Sequence, residues 1–358
     1  MRRSLAVLTA FGLFLSACSS SGAEETTTSS TSTTTTSTTI EETTTTSPTT
    51  TVDDRATSPV NGLPVDDPET LDRRVLAVKI DNHPNARPQS GINNADMVVE
   101  VLVEGVTRFI SVWQQSDSDY LGPMRSGRPT DAQILAAFNE PTFSISGAQA
   151  WVQSLIRSKD IFLTGEVRPA TFRVGWRSAP HNLYVDTNLL REYADSRGHS
   201  DEGLPGPIWE FGELPSSATE AASVRFDFSG NSVVWDWDES QGLWLRSASG
   251  SESNYRDEDG TVERLGFPVM VALNVEQYRA SPPSGTSGSS LPSSRSIGSG
   301  TAYVFADGKV VEGTWEREAE TDWFTITDES GEIIPVPPGQ IWLSLIPGTT
   351  GGVTITDG

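Results

Sequence analysis

The sequence predicts an α+β protein: a mixed α/β N-terminal domain over residues 61–212, then a mostly antiparallel β C-terminal domain over residues 213–358. Three observations predict it. Before about residue 200, apolar runs of strand length alternate with runs of helical period. Gly, Pro and Ser then crowd together in "EGLPGPIWEFGELPSSATE", residues 202–220. Beyond that stretch the helical period disappears, and short alternating runs are divided by Gly, Asp and Ser turns.

In chain order, "VLAVKI" and "TRFISVWQ" read as strands, because β-branched and aromatic side chains suit a buried, pleated surface. "PTDAQILAAFN" places Pro129 and Asp131 at a helix start, with Ile134, Leu135 and Phe138 on one face. "TFSIS", "AWVQSLIRS" and "HNLYVD" continue the mixture, and "TNLLREYADSRG" predicts a helix with Thr187 as N-cap and Gly198 just past its end. In the second domain "SVRFDFSG", "SVVWDWDES", "LWLRS", "VMVALNVEQY", "TAYVFADGKVVEGTWERE", "DWFTITDESGEIIPV" and "IWLSLIP" read as strands joined by hairpins. Their "ADGK", "DEDG" and "DESG" segments supply too few oxygen ligands at fixed spacing for an EF-hand loop and fit tight turns instead. Strand alternation assigns Trp235, Trp237, Trp244, Trp315, Trp323 and Trp342 to the core.

The N-terminus predicts export. Arg2 and Arg3 precede "LAVLTAFGLFL", an apolar run of roughly a dozen residues, too short to span a bilayer. Residues 1–17 read as a lipoprotein signal peptide, because "LSAC" resembles a lipobox that makes Cys18 the lipidated first residue of the mature chain. Cys18 is the only cysteine, so no disulfide forms within the chain. Residues 18–60 are nearly all Thr and Ser and cannot bury enough apolar surface to offset ordering, so they read as a disordered tether. The predicted location is extracytoplasmic, at the cell membrane through a lipid such as palmitate.

Charge narrows the partners. The chain carries a formal net charge of -23, and residues 213–358 hold 22 acidic against 8 basic side chains. Such a body disfavours nucleic acid, whose affinity comes from Lys and Arg meeting phosphates. The expected partners are the membrane, through the anchor, and a cell-wall polymer or an envelope protein.

Candidate site residues fall in Gly- and Pro-constrained stretches at element ends. "DNHPNARPQSG" holds His83 and Arg87, "EGVTRF" holds Glu104 and Arg108, "GPMRSGRP" holds Arg125 and Arg128, and "SAPHNLY" holds His181 and Asn182. Arginine forks match carboxylate or phosphate oxygens in pairs, and a helix starting after Arg128 favours an anion at its N-terminus. His83 and His181 repeat one pattern beside proline, whereas His199 follows a helix in a polar segment. No metal site and no cofactor is predicted. Neither a nucleophile elbow nor "HExxH" is present.

"DNHPNARPQSG", "ADMVVEVLVEG" with "TRF", "GPMRSGRP", "APHNLY" and "DGKVVEGTW" together resemble the YerB-like lipoprotein family, a bacterial domain of unknown function (number 3048), over residues 75–347. The resemblance implies an exported lipoprotein with an N-terminal α+β domain and a smaller β-rich domain, and no established activity. This chain has "EGVTR" where the family pattern places two glycines before Thr-Arg. Two functions suit these residues. One is a membrane-anchored lipoprotein that binds an anionic envelope ligand or scaffolds envelope components. The other is an envelope hydrolase or transferase, with His83 or His181 as general base and Glu100 or Glu104 as its partner.

The anchor is directly testable. Cys18→Ala is expected to abolish lipid labelling and to release the protein from membranes or block its processing. Unchanged detergent partitioning with normal signal cleavage refutes the lipobox.

Overall fold

The apolar runs are the middle of a single sheet in the computed structural model. It describes residues 54–199 and 202–357, so the predicted signal, Cys18 and most of the predicted tether lie outside the described residues. The folded body begins earlier than residue 61: Ser58 and Val60 are fully buried, and Thr57 bridges Pro64.

The first half supplies β1 (Leu76–Ile80), β2 (Met97–Leu102), β3 (Thr107–Trp113), β4 (Thr142–Ser144) and β5 (Phe162–Thr164). A small separate hairpin follows, β6 (Thr171–Arg173) with β7 (Leu183–Val185). The α-helices among the described residues are all short and all in this half: α1 (Pro129–Leu135), α2 (Ala150–Arg157) and α3 (Thr187–Asp195). Asp186, not Thr187, caps α3, because its carboxylate accepts the N–H groups of Asn188 and Leu189. Thr187 instead donates its hydroxyl to Asp117 at 2.9 Å.

The protein is mostly sheet. The main sheet runs Thr325–Thr327, Lys309–Arg317, Gly298–Ala306, Val269–Ala280, Ile341–Pro347, β2, β3, β1, β4, β5. Strands from both sides of residues 202–220 therefore share one continuous sheet within the unit Asp53–Gly358. At the seam, Ile341–Pro347 pairs in parallel with both β2 and Val269–Ala280, so the sheet is mixed rather than antiparallel throughout. A second, antiparallel sheet holds Leu243–Ala248, Asn231–Asp238, Ser223–Phe228 and Gly352–Thr356. In the main sheet, the Asp307–Gly308 turn joins Gly298–Ala306 to Lys309–Arg317 with both residues at positive φ, 50° and 67°, the conformation that suits the twist of a two-residue hairpin.

Alternation along the strands gives each face of the main sheet its own core. Ala77, Val99, Ile110 and Leu343 pack with α1 and α2 residues such as Ile134 and Ile156. Val78, Val98, Phe109 and Trp342 pack on the other face against the second sheet, through Phe226, Trp235 and Trp244. Trp315 is buried as well, while Trp237 and Trp323 are partly so.

One polar cluster crosses the second interface. Glu100, in the middle of β2, is fully buried and accepts hydrogen bonds from Thr107 Oγ1 (2.6 Å), Arg246 Nη2 (2.7 Å) and Trp342 Nε1 (3.0 Å). Arg246 rises from the second sheet into a cage formed by Phe109, Trp235 and Trp342. Removing one partner of a buried ion pair strands the other charge, at about 3–5 kcal/mol. Arg246→Met is therefore expected to lower unfolding stability by about that much, with Glu100→Gln/Arg246→Met recovering part of it, in urea titrations. Equal losses in the single and double variants would count against the pair. A protease nick within residues 202–218 is expected to leave two pieces that co-elute in gel filtration, because the sheet joins them. Separation without denaturant would contradict the seam.

Candidate functional site

β1 delivers the site. Its "LAVKI" sends Leu76, Val78 and Ile80 to one core and Ala77 to the other, with Lys79 on Ala77's side. Lys79 Nζ meets Asp131 Oδ1 of α1 at 2.7 Å, with both side chains fully buried. The other oxygen of Asp131 accepts the backbone N–H of Arg128 at 2.7 Å. The start of α1 is thus occupied by the chain's own carboxylate, and the expected anion position there is already filled. Burial, opposed by Asp131, pulls the Lys79 ammonium down to about 8.

Asp81 follows directly where β1 ends and is the residue around which the site is built. It is 1% exposed. Its Oδ1 accepts the backbone N–H of His83 at 3.0 Å, and its Oδ2 lies 2.8 Å from His181 Nδ1 and 3.3 Å from Arg125 Nε. The carboxylate accepts, so His181 Nδ1 donates, and in the neutral imidazole Nε2 is the acceptor. His83 is arranged the other way round. Its Nδ1 accepts the backbone N–H of Asn85 at 3.2 Å, so its Nε2 carries the proton. The two imidazoles stack with centroids 4.9 Å apart and an interplanar angle of 15°.

The expected residues divide by what they touch. His83, His181 and Arg125 come together around Asp81. Arg125 keeps its backbone on Lys79, its N–H donating to the Lys79 carbonyl at 2.7 Å. Its side chain is 25% exposed, and its Nε, though near Asp81, makes no hydrogen bond among the described residues. Arg128 is fully engaged, forking onto Glu104 through two bonds of 2.8 Å and donating to the Ser126 and Gly127 carbonyls. Partial burial pushes the Glu104 carboxyl up, but the Arg128 bonds and the Arg128 and Arg108 charges outweigh it and hold it below the usual range. Arg108 is buried against the Ser126 carbonyl, and burial followed by the Arg128 charge pulls it down to about 10. Arg87 folds back onto Asn82, whose side chain donates to Thr107 and so joins the Glu100 cluster. Asn182 ties its own loop, accepting from Arg173 and donating to the Val174 and Arg177 carbonyls.

Neither glutamate is the histidine partner expected from the sequence. Glu100 is spent on Arg246 and Trp342, and Glu104 on Arg128; Asp81 takes that role. Its signal was a carboxylate at the mouth of a strand, two residues before a histidine, which reads equally as an ordinary turn. Arg177 also reaches the site, donating to the Pro88 carbonyl beside the His83 loop. Its guanidinium and that of Arg256 both stack on Trp176, at 4.0 and 4.3 Å from the ring centroid.

Residues 60–200 match the N-terminal domain of the family described as "Protein of unknown function (DUF3048)", and residues 223–343 match its C-terminal domain. The chain belongs to the DUF3048 family. A relative from Bacillus subtilis (strain 168), named "Putative lipoprotein YerB", is 27% identical over 306 residues, which cover 82% of this chain and 84% of the relative. The crystal structure of the YerB protein from Bacillus subtilis has the same fold, with a TM-score of 0.70 at 23% identity over 84% of this chain and 100% of that one. The two DUF3048 segments meet in the main sheet, and the N-terminal one holds Asp81, His83, Arg125 and His181.

Lys79→Met leaves Asp131 buried without its cation and is expected to destabilise the protein by about 3–5 kcal/mol, measured by chemical denaturation. A change below about 1 kcal/mol shows that the pair does not anchor α1 to β1.

Proposed function

We propose that this DUF3048 protein is an extracytoplasmic lipoprotein, anchored through Cys18, that binds an anionic group of the cell envelope. The lipobox-like "LSAC" and the lipoprotein name of the Bacillus subtilis relative support the anchor. One observation carries the ligand class: the Arg125 guanidinium stands beside Asp81 through a 3.3 Å ion-pair contact from Nε, and that nitrogen makes no hydrogen bond among the described residues. Arg108 acts on this guanidinium electrostatically, while Lys79 and Arg128 nearby are already paired with Asp131 and Glu104. A guanidinium held this loosely, with a second one close by, fits a phosphate or carboxylate, which accepts paired guanidinium bonds. A wall polymer carrying such groups suits both the chemistry and the location. Residues 61–212 act as the ligand-binding part on this reading, and residues 213–358 as its support.

The test is calorimetric titration with poly(glycerol phosphate) at fixed salt. Arg125→Ala removes charge-assisted bonds of about 1.5–3 kcal/mol, so affinity is expected to fall roughly 10- to 100-fold. Arg197→Ala, whose guanidinium lies over Tyr193 on α3, serves as the control and is expected to bind as the wild type does. Equal affinities for wild type and Arg125→Ala overturn the reading.

A further inference from the structure

Binding an anion needs cations, yet this site also holds a histidine whose Nδ1 is fixed on a buried carboxylate. Asp81 is buried, bonds His181 Nδ1 at 2.8 Å, and is itself held by the His83 N–H and the Arg125 ion pair. The His181 side chain is 14% exposed, and its Nδ1 is turned to the buried Asp81 carboxylate, 1% exposed. Stacked on it, His83 presents the opposite polarity, an Nε2–H donor. A donor and an acceptor set side by side, each fixed by a different backbone or carboxylate partner, form an acid–base arrangement beyond what charge recognition requires.

We infer that His181 is the general base of a phosphodiester hydrolase site, with Asp81 as its positioning residue and Arg125 and His83 as the groups that hold the phosphate. The inference rests on the anion-binding reading and extends it to chemistry. In the step, His181 Nε2 takes a proton from water as the water oxygen bonds to phosphorus. The bond from phosphorus to one ester oxygen then breaks with its electron pair, and His181 returns the proton to that oxygen. The products are a phosphomonoester and an alcohol, and no oxidant or co-substrate is consumed. The Arg125 guanidinium and the His83 Nε2–H donate to the non-bridging oxygens, where charge builds as the fifth bond to phosphorus forms.

Other hydrolytic classes fit less well. Glycoside cleavage uses two carboxylates flanking the bond, about 5–9.5 Å apart, and Asp81 is spent on His181 and Arg125. Carboxylic ester cleavage concentrates charge on one oxygen and usually proceeds through a nucleophilic side chain bonded to the histidine. His181 Nε2 has no such bond among the described residues.

The experiment uses the full-length protein in detergent, with bis(4-nitrophenyl) phosphate and poly(glycerol phosphate) as probes. Wild type is expected to release 4-nitrophenolate and glycerol phosphate above the buffer rate. His181→Gly is expected to lose about 10²- to 10⁴-fold in kcat, the usual worth of a general base, with probe affinity retained. Added imidazole is expected to restore part of that loss. Asp81→Asn is expected to lower kcat with little change in KM and to show no imidazole rescue, and thermal melts establish that each variant is folded. Wild-type turnover of neither probe, or a folded His181→Gly variant as fast as wild type, overturns the hydrolase. Binding that persists without turnover leaves the anion reading standing, whereas binding indifferent to Arg125 removes both.

Discussion

The buried Glu100–Arg246 pair is the constraint on which the rest of the molecule depends. A carboxylate in the middle of a core strand is tolerable only when its lone pairs are filled, and three donors from separate parts of the chain fill them. Arg246 brings the second sheet, Trp342 brings the strand Ile341–Pro347, and Thr107 brings β3. Thr107 also accepts from Asn82, and Asn82 holds Arg87 and Gln89. Core electrostatics thus extend, bond by bond, to the loop that carries His83. The aromatic cage around Arg246 excludes water from the pair and makes each of these bonds count for more.

Much of the secondary structure was legible because it is written in local periodicity. "LAVKI" and "TRFISVW" read as strands and form β1 and β3, and "ADGK" names its own turn through Asp307 and Gly308. Pairing across residues 202–220 was not legible. The strand "IWLSLIP" is equally apolar on both faces, so its pattern does not say that its neighbours are β2 and Val269–Ala280. The site divides in the same way. His83 and His181 were readable as a pair because each stands by a proline in a similar stretch. Asp81 was not, since only the fold brings His181 across to it, and a buried carboxylate has no local mark to tell it from a turn residue. Asn182 and Arg87 looked equally promising and instead hold their own loops, a distinction that depends on side-chain direction.

Long-range and short-range electrostatics oppose one another here. The body repels an anion at distances where its charges act together, while the cations near Asp81 attract only at close range. Salt screens the first effect within a Debye length of about 8 Å, so the local attraction counts for more as ionic strength approaches physiological values. A site of this kind discriminates by fit more than by charge, because a bulky polyanion meets the repulsion before it reaches the arginines. The proposed phosphate ligand satisfies that condition when a single group, tethered on a flexible polymer, enters alone.

The place of Ile341–Pro347 sets the order in which the protein can acquire its shape. This strand is central in the sheet but far along the chain from β2, to which it bonds directly. Until it arrives, β2 has an open edge and Glu100 lacks the Trp342 donor. Contacts of such wide sequence separation form slowly, and an uncovered strand edge invites pairing with the wrong chain. Under the proposed export, in which the chain leaves the cytoplasm N-terminus first, the first segment would wait on the far side of the membrane as an unfinished sheet, and completion would belong to the moment when its late strand emerges.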